Sequence, residues 1–61
     1  MKQLLREEDI IGRTIKSTGY SDNVFCLIFT DDTFCIVRGD GEDVYISDDK
    51  IDLTLFSWNA D

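Results

Sequence analysis

The side chains that could do chemistry in this 61-residue chain are thirteen carboxylates and two thiols, with no histidine among them. The carboxylates gather at Asp31-Asp32, at Asp40, Glu42 and Asp43, and at Asp48, Asp49 and Asp52. Hydrolysis by a carboxylate pair needs two acids fixed across a cleft at a set separation. Each of these groups instead falls in a turn, where carboxylates are solvated. The second and third groups could converge on calcium, which takes hard oxygen ligands, but their spacing lacks the Asp-x-Asp-x-Asp-Gly and distal Glu of the EF-hand loop.

The thiols Cys26 and Cys35 lie inside apolar runs with no activating neighbour. Without histidine the commonest general base is missing, and two cysteines alone fall short of a zinc donor set. There is no nucleophile elbow and no glycine-rich phosphate loop. The tripeptide Arg38-Gly39-Asp40 is too short to specify adhesion. The expectation is a non-enzymatic protein with no cofactor, no catalytic residue and no resident metal.

The net charge of −7 is unevenly placed. Residues 1–30 hold four basic and four acidic side chains; residues 31–61 hold two basic and nine acidic ones. Scattered lysines and arginines do not make a phosphate-binding surface, so direct contact with nucleic acid is not expected, nor is binding to anionic lipid. A protein partner with a basic surface is the natural complement. The longest apolar run, Val24 to Phe29, is far below the ~18 residues of a membrane span. The opening MKQLLREED meets charges before an apolar signal core can form, so the expected location is the cytoplasm, or the host cytoplasm if the protein is viral.

The elements that must carry these groups form one domain, residues 1–61, with no linker, repeat or low-complexity segment. Residues 2–11 favour a short helix by propensity, ended at Gly12. Strands are expected at Arg13–Tyr20, Val24–Thr30, Thr33–Arg38, Asp43–Ser47 and Ile51–Trp58, separated by short turns. The fold class is therefore mainly β, bordering on α+β. A short N-terminal helix leads into a four- to five-stranded antiparallel meander, arranged as a single bent sheet or a small SH3-like barrel.

The stretch VFCLIFTDDTFCIV is apolar on both sides of its turn. A two-residue turn at Asp31-Asp32 pairs Phe29 with Phe34 and Cys26 with Val37. One face then holds Phe25, Leu27, Phe29, Phe34 and Ile36, and the other holds Val24, Cys26, Ile28, Cys35 and Val37. A half-buried sheet would be polar on one of these faces. The hairpin is thus either covered on both sides or leaves an apolar patch for a partner. In that register the cysteines are diagonal neighbours about 7–8 Å apart at Cβ, too far for a disulfide, so two free thiols are expected.

At IIGRTIKS, then LIFTDDT, then DVYI, the order of features resembles a pattern common in uncharacterised small β-rich proteins of bacteria and phages. The likeness covers about residues 10–47 and implies a compact β-rich domain without bringing an activity. Such proteins usually have Asp-Gly in the central turn, where this chain has Asp31-Asp32. In size, charge and lack of catalytic residues the chain is also similar to phage-encoded inhibitors of bacterial defence systems.

The expected function is that of a small acidic interaction protein that binds a protein partner and modulates it. Its candidate contact residues are Asp31, Asp32, Asp48, Asp49 and Asp52 together with Val24, Cys26, Ile28, Cys35 and Val37. The alternative is a structural domain that closes a homodimer through the second apolar face.

Overall fold

A computed structural model describes residues 1–59. The chain forms β1 (Lys2–Gln3), β2 (Ile15–Ser21), β3 (Val24–Phe29), β4 (Thr33–Asp40), β5 (Asp43–Ser47) and β6 (Ser57–Asn59). Strands β2 to β5 pair antiparallel in sequence order. The outer edge of β4 is shared: β1 pairs in parallel with Thr33–Phe34, and β5 pairs with Ile36–Asp40. β6 pairs with β2 at the far edge. The result is one mixed sheet that stays open, so of the two expected arrangements the single sheet, not the barrel, is what forms.

Turn chemistry sets the hairpins. Ser21 and Val24 close a two-residue loop in which Asp22 and Asn23 have φ of 40° and 66°, the left-handed region that Asp and Asn tolerate best after glycine. Asp40 and Asp43 close another, with Gly41 at φ 63°.

The central hairpin departs from expectation. Its loop has three residues, Thr30, Asp31 and Asp32, because Ile28 faces Phe34 and Cys26 faces Ile36. A two-residue loop of type I′ would force both aspartates to positive φ. A three-residue loop asks this only of its last residue, and Asp32 complies at φ 67°. Asp31 is then free to accept hydrogen bonds from the Thr33 amide and hydroxyl, which fixes the turn.

Shifting the register by one residue moves side chains of one strand to the opposite face relative to its neighbour. One face now carries Val24, Cys26, Ile28, Phe34 and Ile36. The other carries Phe25, Leu27, Phe29, Cys35 and Val37. The cysteines therefore lie on opposite faces, not on one, and both are free.

Each face is covered by a chain end. After β5, residues 48–56 cross the first face to reach the far edge, and Ile51, Leu53 and Phe56 pack on Val24, Cys26 and Ile36. This stretch is not the expected strand Ile51–Trp58. The Asp52 carboxylate accepts from the Thr54 amide (3.0 Å) and hydroxyl (2.7 Å), starting a 3-10 turn at Leu53–Leu55. Trp58 then lies flat over Gly19, and its Nε1 donates to the Leu53 carbonyl at 2.9 Å.

The second face is covered near the central turn by Leu4 and Ile10, packed on Phe29 and Cys35. The expected helix over residues 2–11 does not form; a 3-10 turn at Glu7–Asp9 stands in its place. Ten residues fall below the ~12–15 that sustain an isolated helix in water. The segment instead pairs Lys2–Gln3 with β4 and buries Leu4.

Candidate protein interface

The strand directions put the turns Asp22-Asn23 and Gly41-Glu42 at one end of the sheet and the Thr30–Asp32 turn at the other. The Leu4–Ile10 cover reaches only the second of these ends. Toward the Asp22 end the same face is bare. Tyr20, Phe25, Val37 and Ile46 lie in one row across β2, β3, β4 and β5. Tyr20 is 56% exposed, Phe25 52% and, one row nearer the turns, Val44 70%. The Tyr20 and Phe25 rings are 5.9 Å apart at 32°, within the range of favourable aromatic pairs. Beside them a depression of about 320 Å³ is lined by Phe25, Val37 and Val44 and by Gly39, over which no atom stands.

This bare end is also acidic. Asp22, Asp40, Glu42 and Asp43 sit in or next to its two turns, and all four are exposed. The basic residue close by along β4, Arg38, belongs to the opposite face, where its Nε lies 2.7 Å from Asp49 Oδ2. That approach is an ion pair without an aligned N–H···O bond, since Arg38 Nε is left without a hydrogen-bond partner.

The contact residues expected from sequence are distributed differently. Val24, Cys26 and Cys35 are buried, Cys26 and Cys35 completely. Val24, Cys26 and Ile28 share the face crossed by residues 48–56, while Cys35 and Val37 belong to the other. The five do not form one patch, and of them only Val37 borders the bare end.

Four of the five acids are tied into the local structure. Asp31 pairs with Arg13 and Thr33. The Asp32 carboxylate lies 4.0 Å from the N-terminal ammonium. Asp49 meets Arg38 while its carbonyl accepts from Gln3 at 3.1 Å. Asp52 caps its turn, and Asp48 is exposed. Asp31 and Asp32 lie in the turn away from the exposed aromatics, whereas Asp48 and Asp49 follow Ser47, which pairs with Ile36 midway along β4, and the Asp49 carboxylate reaches Arg38.

Electrostatics agree with these roles. The Thr33 hydroxyl, with Arg13 beside it, holds the Asp31 carboxyl below its ordinary value, and the Thr54 hydroxyl and amide do the same for Asp52. Burial, with Cys35 nearby, pushes the Cys26 thiol up to about 11, and burial raises Cys35 as well. Thiols so protonated at neutral pH are poor nucleophiles.

Among the described residues, no three His, Cys, Asp or Glu side chains come together as a metal site. The acids of Asp40–Asp43 and those of Asp48-Asp49 stand at opposite ends of β5. No helix among the described residues is long and apolar enough to cross a membrane.

Phe25, Tyr20 and Val44 were legible in sequence as apolar strand residues but not as an exposed set. What decides their exposure is how far the Leu4–Ile10 segment reaches over this face, which no local residue pattern signals. No protein-family model matches the chain, and no curated protein or solved structure is significantly similar to it.

Proposed function

We propose that this chain is a small non-enzymatic interaction protein that binds a protein partner with a basic surface and modulates it. The observation that carries this reading is the bare end of the sheet: an exposed Tyr20–Phe25 pair with Val44, bordered by Asp22, Asp40, Glu42 and Asp43. An aromatic centre inside a charged rim is the composition of protein interfaces. The rim supplies long-range attraction to positive charge, and the centre supplies contact energy. The likeness to phage-encoded inhibitors in size, charge and lack of catalytic residues favours inhibition as the form of modulation.

Self-association through the same patch is the weaker alternative. Two copies would bring chains of −7 net charge together, each with the same acidic rim at the contact.

The test is quantitative capture of partner proteins from the native cell with the full chain, its Tyr20→Ser/Phe25→Ser variant and its Asp40→Asn/Glu42→Gln/Asp43→Asn variant. Folding of each is checked by its denaturation midpoint. The expected result is a protein retained by the wild type, lost with the aromatic variant, and held more weakly and with less salt sensitivity by the neutralised one. Equal retention by all three folded proteins contradicts the proposal. A dimer in sedimentation at micromolar concentration, broken by the aromatic variant, would replace it with the self-associating alternative.

A further inference from the structure

Strand β5 has a partner on one side only. β4 pairs with it along Asp43–Ser47, and no strand among the described residues lies beyond. In a two-residue hairpin the closing pair, here Asp40 and Asp43, exchanges both ladder bonds, and bonded and non-bonded pairs then alternate. Tyr45 and Ser47 therefore face β4 with their amides, while Val44 and Ile46 turn N–H and C=O outward along the free edge.

Natural edges are usually blunted by proline, a bulge or an inward-pointing charge. This one has none of these along Val44–Ile46. It is instead bracketed by acids: Asp40, Glu42 and Asp43 at its start, Asp48 and Asp49 at its end. The side chains of Val44 and Ile46 belong to the same face as Val37 and Phe25, so the free edge borders the exposed aromatic patch.

We infer that β5 is a docking edge for an extended segment of alternating apolar and basic residues, which adds to the sheet as a further strand. This rests on the interaction role proposed above and names the kind of segment that fills it. Backbone bonds to Val44 and Ile46 supply affinity, and alternate side chains select the partner. The apolar ones fall beside Val44 and Ile46, and the basic ones meet the acids at either end.

The charge pattern also argues against a second copy as the occupant. Two β5 strands paired antiparallel about Tyr45 would set Glu42 of each opposite Asp48 of the other, with Asp43 and Asp49 one residue away, and like charges across a strand pair are destabilising.

The test is titration of the isotope-labelled full chain with an end-blocked peptide of four lysines alternating with three valines. A peptide of the same charge with glycine for valine is the control. Binding by the valine peptide should shift the amides of Val44 and Ile46 most, with Phe25 next, and the glycine peptide should bind more weakly. Ile46→Pro removes one outward donor and leaves the ladder to β4 intact. It should weaken binding roughly 3- to 10-fold, the worth of one hydrogen bond, with Val44→Thr as a folded control that keeps the donor.

Absence of binding to the valine peptide at low salt overturns the inference. So does binding that is equal for both peptides and indifferent to Ile46→Pro, which reports charge alone. Shifts confined to Tyr20, Phe25 and Leu27, again without effect of the proline, overturn strand addition but leave the interaction role standing.

Discussion

The two faces of the sheet begin with similar apolar side chains and end differently. On one, residues 48–56 run from the end of β5 to the far edge, and Val24, Cys26 and Ile36 disappear beneath Ile51, Leu53 and Phe56. On the other, the cover is the short N-terminal segment, which reaches Phe29 and Cys35 but leaves Tyr20, Phe25 and Val44 in solvent. A 61-residue chain has little surface to hide behind, and here the two ends of the chain are its lids. The longer lid closes a core, and the shorter one leaves an apolar surface exposed, at a cost in solubility. The exposed acids Asp22, Asp40, Glu42 and Asp43 collect at that end and offset the cost.

The sharpest way to break this contrast is truncation on each face. Ile36→Ala, at a fully buried position, should cost about 2–5 kcal/mol in chemical denaturation. Val44→Thr, at the bare end, should cost less than about 0.5 kcal/mol. Comparable losses at the two positions mean that the faces are not differently covered.

The lid itself is tested at Gly19. A Cβ there would meet Trp58 Cε3 at 2.7 Å, so Gly19→Ala should lift the indole and destabilise by roughly 1–3 kcal/mol. The wild-type tryptophan emission should shift toward that of a solvated indole. A variant as stable as the parent shows that Trp58 does not clamp the crossing.

The smallest effect concerns the acids tied into turns. Asp31 and Asp52 have folded pKa values below the ordinary carboxylate value near 4. A depressed folded pKa adds stability above the unfolded value and loses it as pH falls through the folded one. Stability should therefore decline on acidification below about pH 4, and less steeply in Asp31→Asn and Asp52→Asn. A slope unchanged by both substitutions removes these carboxylates from the folding account.

Much of the architecture could be read from the residues. Apolar runs separated by Asp, Asn and Gly marked the four central strands to within two residues, because such turns leave the chain few other places to reverse. Of the two apolar sides of the central hairpin, one is covered over Val24, Cys26 and Ile36 and the other only over Phe29 and Cys35. What escaped was decided by contacts distant in sequence or by one backbone angle. Leu4 is helical by local preference, yet it gains more by packing on Phe29. Asp52 has the composition of a strand neighbour, but its carboxylate captures Thr54 and bends the chain. The single positive φ at Asp32 reassigned which β4 side chains join each face, and the reach of the two covering segments makes Val24 and Cys26 core while leaving Phe25 at the surface.

The measurement closest to the central claim is side-chain NMR in the presence of a neutral, soluble paramagnetic agent. Tyr20, Phe25 and Val44 should be strongly relaxed, and Val24, Cys26 and Ile36 left untouched. Relaxation of Val24 and Cys26 with Phe25 protected would contradict this covering of the two faces, and the bare, acid-bordered end would not exist.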